Sequence, residues 1–134
     1  MEFGIILIKK EPNLKNRLVK TFDSLDRFDF KYKEIFLLSN RKYIVINENE
    51  LYGVIDTNGK IIIPVEYKNI YHDYNKNYIA VNITGFDGVL DKNGNIIIPF
   101  EYKIIKLHDG IYKCFINHIM FYFNKNGKLL GKTK

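Results

Sequence analysis

Residues 53–67 read GVIDTNGKIIIPVEY, and residues 88–102 read GVLDKNGNIIIPFEY. Thirteen of the eighteen positions in 53–70 are identical to the residues 35 positions later, including the whole Ile-Ile-Ile-Pro run. Self-similarity at a fixed period indicates a repeat architecture, in which each unit is one small supersecondary structure that cannot bury its apolar residues alone. The sequence therefore predicts a tandem array.

The repeat continues on both sides of these two copies. Upstream, YKEI at 32–35 matches YKNI at 67–70, and downstream, NKNGKLL at 124–130 matches DKNGNII at 91–97 after a deletion of two residues. We predict a single domain spanning residues 1–134, with repeat units at 32–66, 67–101 and 102–134. The first of these units is partial.

Residues 1–31 do not match the repeat, and we predict that they form an atypical N-terminal cap, which a repeat array needs at its end. Within this segment, Leu14, Leu18, Phe22 and Leu25 recur at helical spacing. The cap is therefore expected to contain one short amphipathic helix between residues 12 and 25.

Each unit is rich in short runs of β-branched and aromatic residues, such as YIAVN, GVLD and NIIIP, which predict a three-stranded antiparallel meander. Because proline has no N–H to donate, Pro64 and Pro99 are expected to close strands of about five residues. The triple isoleucines lack alternation and predict strands covered on both faces. The fold class is mainly β, an open propeller-like or solenoid-like array of meanders of about 35 residues with one N-terminal helix.

The turns have an Asx residue first and glycine last, a pattern in which the side chain accepts backbone N–H groups and glycine takes a positive φ. Tyr32, Tyr67 and Tyr102 recur at the start of each unit and are expected to pack at unit junctions, with hydroxyls on backbone partners. An exposed aromatic ladder for ligand stacking is the alternative. The structural motif is predicted to comprise Gly53, Asp56, Asn58, Gly59, Pro64, Tyr67, Gly88, Asp91, Asn93, Gly94, Pro99, Tyr102 and Gly127.

The order of these residues resembles the bacterial WG repeat, also written KWG repeat: an aromatic-Gly pair, Asp, an Asn-Gly turn, an apolar strand, Pro and Tyr. Residues 52–67 carry nearly all of it, whereas Asp87 replaces the aromatic in the second copy and Phe121 replaces the glycine in the third. The resemblance implies an all-β repeat array with a bias toward interaction. It transfers no catalytic residues.

The sequence offers little support for catalysis or metal binding, and we predict no enzyme, no cofactor and no metal. Counting twelve from Asp56 or Asp91 gives a tyrosine where a calcium loop needs glutamate. Cys114 is the lone cysteine and has no recognisable zinc spacing with the three histidines. A nucleophilic pair of Cys114 with His108 or His118 stays open at this stage, although nothing in the sequence activates the thiol.

Length and composition indicate a globular protein. The positive net charge makes an anionic partner one possible function. Hydrophobic residues make up 46% and charged residues 27%, which excludes disordered and collagen-like classes. The stretch 3–8 is too short to span a bilayer and has no signal-peptide features, so we expect a cytoplasmic protein with no membrane contact. The net charge is +6, and no Asp or Glu follows Asp109.

Two functions follow from these patterns. The favoured one is a non-catalytic binding or scaffolding module that binds a protein partner, or a second copy of itself, through a sheet face or strand edge. The alternative is a small nucleic-acid or polyanion binder, because lysines alternate with aromatic residues in the C-terminal unit. Its candidate residues are Lys113, Lys125, Lys128, Lys132 and Lys134.

Overall fold

The structure is a computed structural model that describes residues 32–133. The predicted N-terminal cap with its helix, and Lys134, lie outside the described residues. The described residues form three four-stranded antiparallel sheets, each with its strands in sequence order. The mainly β fold of tandem meanders is therefore confirmed.

The strands recur at similar spacing in the three sheets. The first sheet contains β1 (Tyr32–Leu37), β2 (Tyr43–Asn47), β3 (Tyr52–Ile55) and β4 (Ile61–Tyr67). The second contains β5 (Asn69–His72), β6 (Tyr78–Val81), β7 (Asp87–Leu90) and β8 (Ile96–Tyr102). The third contains β9 (Ile104–His108), β10 (Ile111–Ile116), β11 (Ile119–Phe123) and β12 (Leu129–Lys132).

The prediction of three strands per unit was wrong, because the segment after each repeat tyrosine is a further strand. β5 and β9 pair with β6 and β10, so each unit is a sheet of four strands. These segments looked like connections because they are short and carry exposed polar residues. Antiparallel pairing to a neighbouring strand compensates for their weak pattern.

The prolines do not close their strands either. Pro64 and Pro99 lie in the middle of β4 and β8, which continue to the repeat tyrosines and are seven residues long. Both strands are the last in their sheets, and an edge strand can hold a residue with no N–H to donate. The register between β7 and β8 also shifts on both sides of Val89, which is typical of a β-bulge at a sheet edge.

The triple isoleucines are covered unequally along the strand and not on both faces throughout. Ile98 is fully buried, Ile97 is partly buried and Ile96 remains 58% exposed, and the same gradient runs through Ile61 to Ile63. The strand is at the edge of its sheet and its register shifts beside Val89, so its isoleucines are covered to different extents along the strand. Continuous isoleucine therefore does not indicate burial on both faces here.

The motif glycines in β3 and β7 make room for the residue after the proline. A Cβ on Gly53 would lie 2.6 Å from Cγ2 of Val65, and one on Gly88 would lie 2.6 Å from the ring of Phe100. Real Cβ contacts do not reach such distances. The glycine thus allows the edge strand to lay a side chain directly on its neighbour.

The chain divides into two compact parts, one up to Val65 and one from Glu66 onward. In the first part, Val45, Val54, Ile55 and Ile63 are fully buried. In the second part, the second and third sheets share one hydrophobic core. Its buried members are Ile79, Val89, Ile98, Tyr102, Ile105, Tyr112, Cys114 and Phe123.

Candidate binding face on the third sheet

The hairpin turns are held by their own Asx side chains. The Asp56 carboxylate accepts the N–H groups of Asn58 and Lys60 at 2.8 and 2.9 Å, and Asp91 does the same for Asn93 and Asn95. Burial raises the pKa of Asp91, but these backbone hydrogen bonds together lower it below its usual value. Gly59, Gly94 and Gly127 end these turns at φ of 85–86°, where each turn joins the third strand of a sheet to the fourth.

The repeat tyrosines lie inside the protein. Tyr32, Tyr67 and Tyr102 are all buried. Tyr67 stacks on Phe100 with ring centroids 5.3 Å apart, and Tyr102 makes edge contacts with Phe121 and Phe123 of the third sheet. Burial raises the pKa of both Tyr67 and Tyr102. Their rings are therefore packing groups and offer no exposed ladder to a ligand.

The second and third sheets are joined by a buried polar network around Tyr112. Its hydroxyl donates to the Asp73 carboxylate at 2.6 Å and accepts from the Asn77 amide at 3.0 Å. The same Asn77 amide donates to the carbonyl of Lys125 at 2.9 Å. Burial, together with the Asp73 hydrogen bond, raises the pKa of Tyr112 well above its usual value. This network fixes the third sheet on the turn that precedes β6.

Two further contacts complete the junction. The Asp87 carboxylate accepts the N–H of Ile105 at 2.9 Å, so the residue that replaces the motif aromatic bridges the two sheets. Gly127 lies against the carbonyl of Ile97, where a Cβ would collide with that oxygen. A hairpin turn of one unit thus rests on the edge strand of the unit before it.

The junction is built on one row of side chains across the second sheet, which we call the junction face: Tyr71, Ile79, Val89 and Ile98. These residues are consecutive cross-strand partners in β5 to β8 and therefore point to the same side. Ile79, Val89 and Ile98 are buried against Tyr112, Cys114 and Phe123 of the third sheet. Burial of such a row is the ordinary way in which repeat units stack.

The corresponding row of the third sheet has a different chemistry, and we call it the outer face: Lys106, Lys113, Tyr122 and Gly131. The four residues are again cross-strand partners, in β9 to β12. Because Tyr112 and Cys114 point into the core, the alternation of the strand directs Lys113 to the opposite side. The three buried residues of the junction face are thus replaced by Lys113, Tyr122 and Gly131, and the exposed Tyr71 is replaced by Lys106.

A groove of about 410 Å³ lies on the outer face. Its lining residues are His108, Asp109, Ile111, Lys113, Tyr122, Leu130 and Gly131. The Nδ1 atom of His108 lies 3.5 Å from the Asp109 carboxylate, and both side chains are largely exposed. A Cβ on Gly131 would have no atom within 4 Å, so this glycine leaves open space where the second sheet has Ile98. The groove combines a cation, an aromatic ring and apolar walls.

The lysines proposed from the sequence do not share one surface. Lys113 lies on the outer face, while Lys125 and Lys128 lie in the turn between β11 and β12. Lys132 lies on the opposite face, with its ammonium 5.8 Å from the centre of the Phe121 ring. The structure instead pairs Lys113 with Lys106, which the sequence reasoning missed. Lys106 and Lys113 occupy the repeat positions of Tyr71 and Ile79, so an alignment of the two units could have found both lysines.

The candidate nucleophile is a core residue. Cys114 is fully buried, and burial, followed by the nearby Asp87 charge, raises the pKa of its thiol to about 12. His108 is in the groove and His118 in the β10–β11 turn at φ 66°. Within residues 32–133, no group of three or more His, Cys, Asp or Glu side chains is arranged to hold a metal ion. The same residues contain no helix long and apolar enough to cross a bilayer.

The first part of the chain has its own groove, of about 590 Å³, lined by Tyr32, Asn47, Ile61, Pro64 and Val65. At the matching position of the second sheet, Phe100 stands in place of Val65 and stacks on Tyr67. The lining of this groove holds no charged group among the described residues.

The three sheets repeat one strand order, the second and third sheets share a core, and the outer face of the third sheet has a different chemistry, so the chain is a tandem β-repeat protein. Residues 52–85 and 88–107 match the family model of the WG containing repeat. The match confirms, for these residues, the resemblance inferred from the sequence. The third sheet repeats the same strand order and extends beyond the matched stretch.

The other comparisons add little. No curated protein matches the chain. A crystal structure of a protein of unknown function from Bacteroides caccae is similar at 12% sequence identity and a TM-score of 0.36. The similarity covers 75% of this chain and 46% of that one, so the chain spans less than half of that structure's length.

Proposed function

We propose that this protein is a non-catalytic binding module that docks a protein partner on the outer face of its third sheet. The observation that supports this function is the replacement of Ile79, Val89 and Ile98 by Lys113, Tyr122 and Gly131 at a groove. A row that stacks the next unit in the second sheet is here open to another molecule. Exposed grooves that mix aromatic and polar groups are common at protein interfaces.

Other features agree with a role outside catalysis. The Cys114 thiol, with its raised pKa, stays protonated near neutral pH and is a poor nucleophile there. The repeat tyrosines and the Asx turns serve packing and register. A cytoplasmic location stays a prediction from the sequence.

The polyanion alternative is less favoured, because the strands distribute its candidate lysines over two faces and a turn. A protein that tracks a nucleic-acid backbone uses a continuous positive groove with stacking aromatics. Phe121 and Phe123, which looked like stacking residues, contact Tyr102 in the core.

The test is a comparison of capture by three forms of the chain from a lysate of the cells that express it, with and without nuclease treatment. Gly131→Ile fills the groove with the residue of the second sheet, in space that is free of other atoms. Thr57→Ile adds a similar apolar group to an exposed turn far from the third sheet in sequence, and serves as the matched control.

We expect one or more proteins to bind the unaltered chain and the Thr57→Ile control, and to be retained about tenfold less by Gly131→Ile. Equal retention by all three forms would overturn docking on this face. Loss of the captured material on nuclease treatment would favour the polyanion alternative. Sedimentation of the same three forms identifies a second copy as the partner if only Gly131→Ile changes the oligomeric state.

A further inference from the structure

We infer that the outer face binds a short acidic segment of its partner, an extended peptide whose carboxylates flank an apolar or aromatic side chain. This inference rests on the proposed function and specifies the chemistry of the partner. It is carried by the pairing of two lysines beside a partly apolar groove.

The outer face carries two neighbouring positive charges. Lys106 and Lys113 are direct cross-strand partners, and like charges in that position repel each other. In residues 110–133 there is no Asp or Glu to compensate them. The carboxylate in the groove, Asp109, lies beside His108. A carboxylate supplied by another molecule would relieve the repulsion of the two ammonium groups.

The groove on the outer face is lined partly by apolar side chains. Ile111 and Leu130 provide apolar walls, and the Tyr122 ring lies between Lys113 and Gly131 in the row. Leu130 is 52% exposed, although it has a large apolar side chain. A space of about 410 Å³ is at the lower end of the range for small ligand sites, and it suits one or two side chains.

The number of lysines on the outer face favours one class of anionic partner over another. Lys125 and Lys128 lie in a turn and Lys132 on the other face, so the outer face is only two lysines wide. Contacts with several successive phosphates of a nucleic acid need a longer row of cations. Two lysines next to apolar walls match an acidic and apolar peptide better than a phosphate backbone. A second copy of this chain, which has a net charge of +6, matches less well.

The experiment titrates the isotope-labelled chain with a soluble peptide of three glutamates around one phenylalanine, and follows backbone amide shifts by NMR. The parallel probes are the same peptide with glutamine for glutamate and a short oligodeoxythymidine. Lys106→Gln with Lys113→Gln is the test variant. Lys125→Gln with Lys128→Gln is its matched control, because it removes the same charge away from the face.

We expect saturable shifts of residues on the outer face with the glutamate peptide, and about tenfold weaker binding to the test variant than to the control variant. The glutamine peptide should bind the unaltered chain no more tightly than the glutamate peptide binds the test variant. Added salt should weaken the complex of the glutamate peptide with the unaltered chain. No saturable shifts at peptide concentrations up to about 1 mM would overturn the inference. Equal weakening in both variants, or a preference for the oligonucleotide, would overturn it as well.

The outcome can be separated from that of the proposed function. If Gly131→Ile loses the captured protein while the Lys106→Gln, Lys113→Gln variant keeps it, the face docks a protein but not through an acidic segment. In that case this inference fails and the proposed function stands. If both variants keep the captured protein, both proposals fail.

Discussion

The second and third sheets present the same row of cross-strand positions to different surroundings. In the second sheet the row contains Ile79, Val89 and Ile98, and the next unit buries it. In the third sheet the same positions hold Lys113, Tyr122 and Gly131 beside an open groove. One backbone pattern therefore serves either for stacking or for exposure, and a few side chains on one face decide which.

The largest effect is expected when a residue of the outer face is moved into the junction. Ile79→Lys places an ammonium group among the apolar residues that the second and third sheets bury between them, where its charge would be desolvated. We expect a loss of about 3 kcal/mol or more in the free energy of unfolding, measured by urea denaturation and circular dichroism. The reverse change, Lys113→Ile, should alter it by about 0.5 kcal/mol or less. An unchanged midpoint for Ile79→Lys would mean that the two sheets do not pack as described.

Two glycines of the third unit test the junction by the same substitution. Gly127 has φ 85° and lies against the carbonyl of Ile97, so Gly127→Ala should destabilise the protein by about 2–3 kcal/mol through strain and collision. Gly131 has open space around it, and Gly131→Ala should leave the protein equally stable or up to about 1 kcal/mol more stable. Thermal and urea unfolding of the two variants provides the comparison. Similar losses for both would contradict the different roles of the two positions.

Tyr112 and Tyr122, on the buried and the exposed side of the third sheet, allow a smaller change. Tyr112→Phe removes the hydroxyl that donates to Asp73 and accepts from Asn77, and it leaves both partners with one hydrogen bond fewer. A cost of about 1–2 kcal/mol is expected from urea denaturation. Tyr122→Phe makes the same chemical change at the groove and should cost less than about 0.5 kcal/mol. If the two variants unfold at the same urea concentration, the buried network contributes nothing specific.

The turns and the array were accessible from the sequence because their causes are local. An Asx residue followed by glycine fixes a hairpin with its own backbone, and the repetition of Asp56–Gly59 at Asp91–Gly94 shows the period directly. The fourth strand and the course of Pro64 and Pro99 through edge strands were missed. Both depend on the position of a strand within its sheet, which local propensity does not encode.

The sequence alone did not reveal which residues lie on the outer face, because the repeat offset changes within the third unit. A shift of one residue moves every side chain of a strand to the other face. The third unit has two-residue turns at Asp109–Gly110 and Asn117–His118, with positive φ at all four residues, where the second unit has longer Asx turns. The offset from the second unit therefore changes from 35 at Lys106 to 34 at Lys113 and 33 at Tyr122. Without the strand pairs, the five C-terminal lysines looked like one cluster.

The smallest effect concerns Asp87, which bridges the two sheets where the first unit has Tyr52. Burial raises the pKa of Asp87, and the hydrogen bond from the N–H of Ile105 lowers it only in part. A raised folded-state pKa means that the contribution of this group to stability is fully present below its unfolded pKa and is lost as pH rises through the folded value. Asp87→Asn lacks this loss and can still accept the Ile105 hydrogen bond.

We therefore expect the stability of Asp87→Asn relative to the unaltered chain to increase between pH 3 and pH 7, by about 0.5 kcal/mol or less. Urea denaturation of both proteins at the two pH values measures the difference, in which the titration of all other groups cancels. A difference that moves in the opposite direction would mean that the charged form of Asp87 holds Ile105 more strongly than burial disfavours it. The junction would then depend on an ionised carboxylate, in contrast to the outer face, where the charges repel each other.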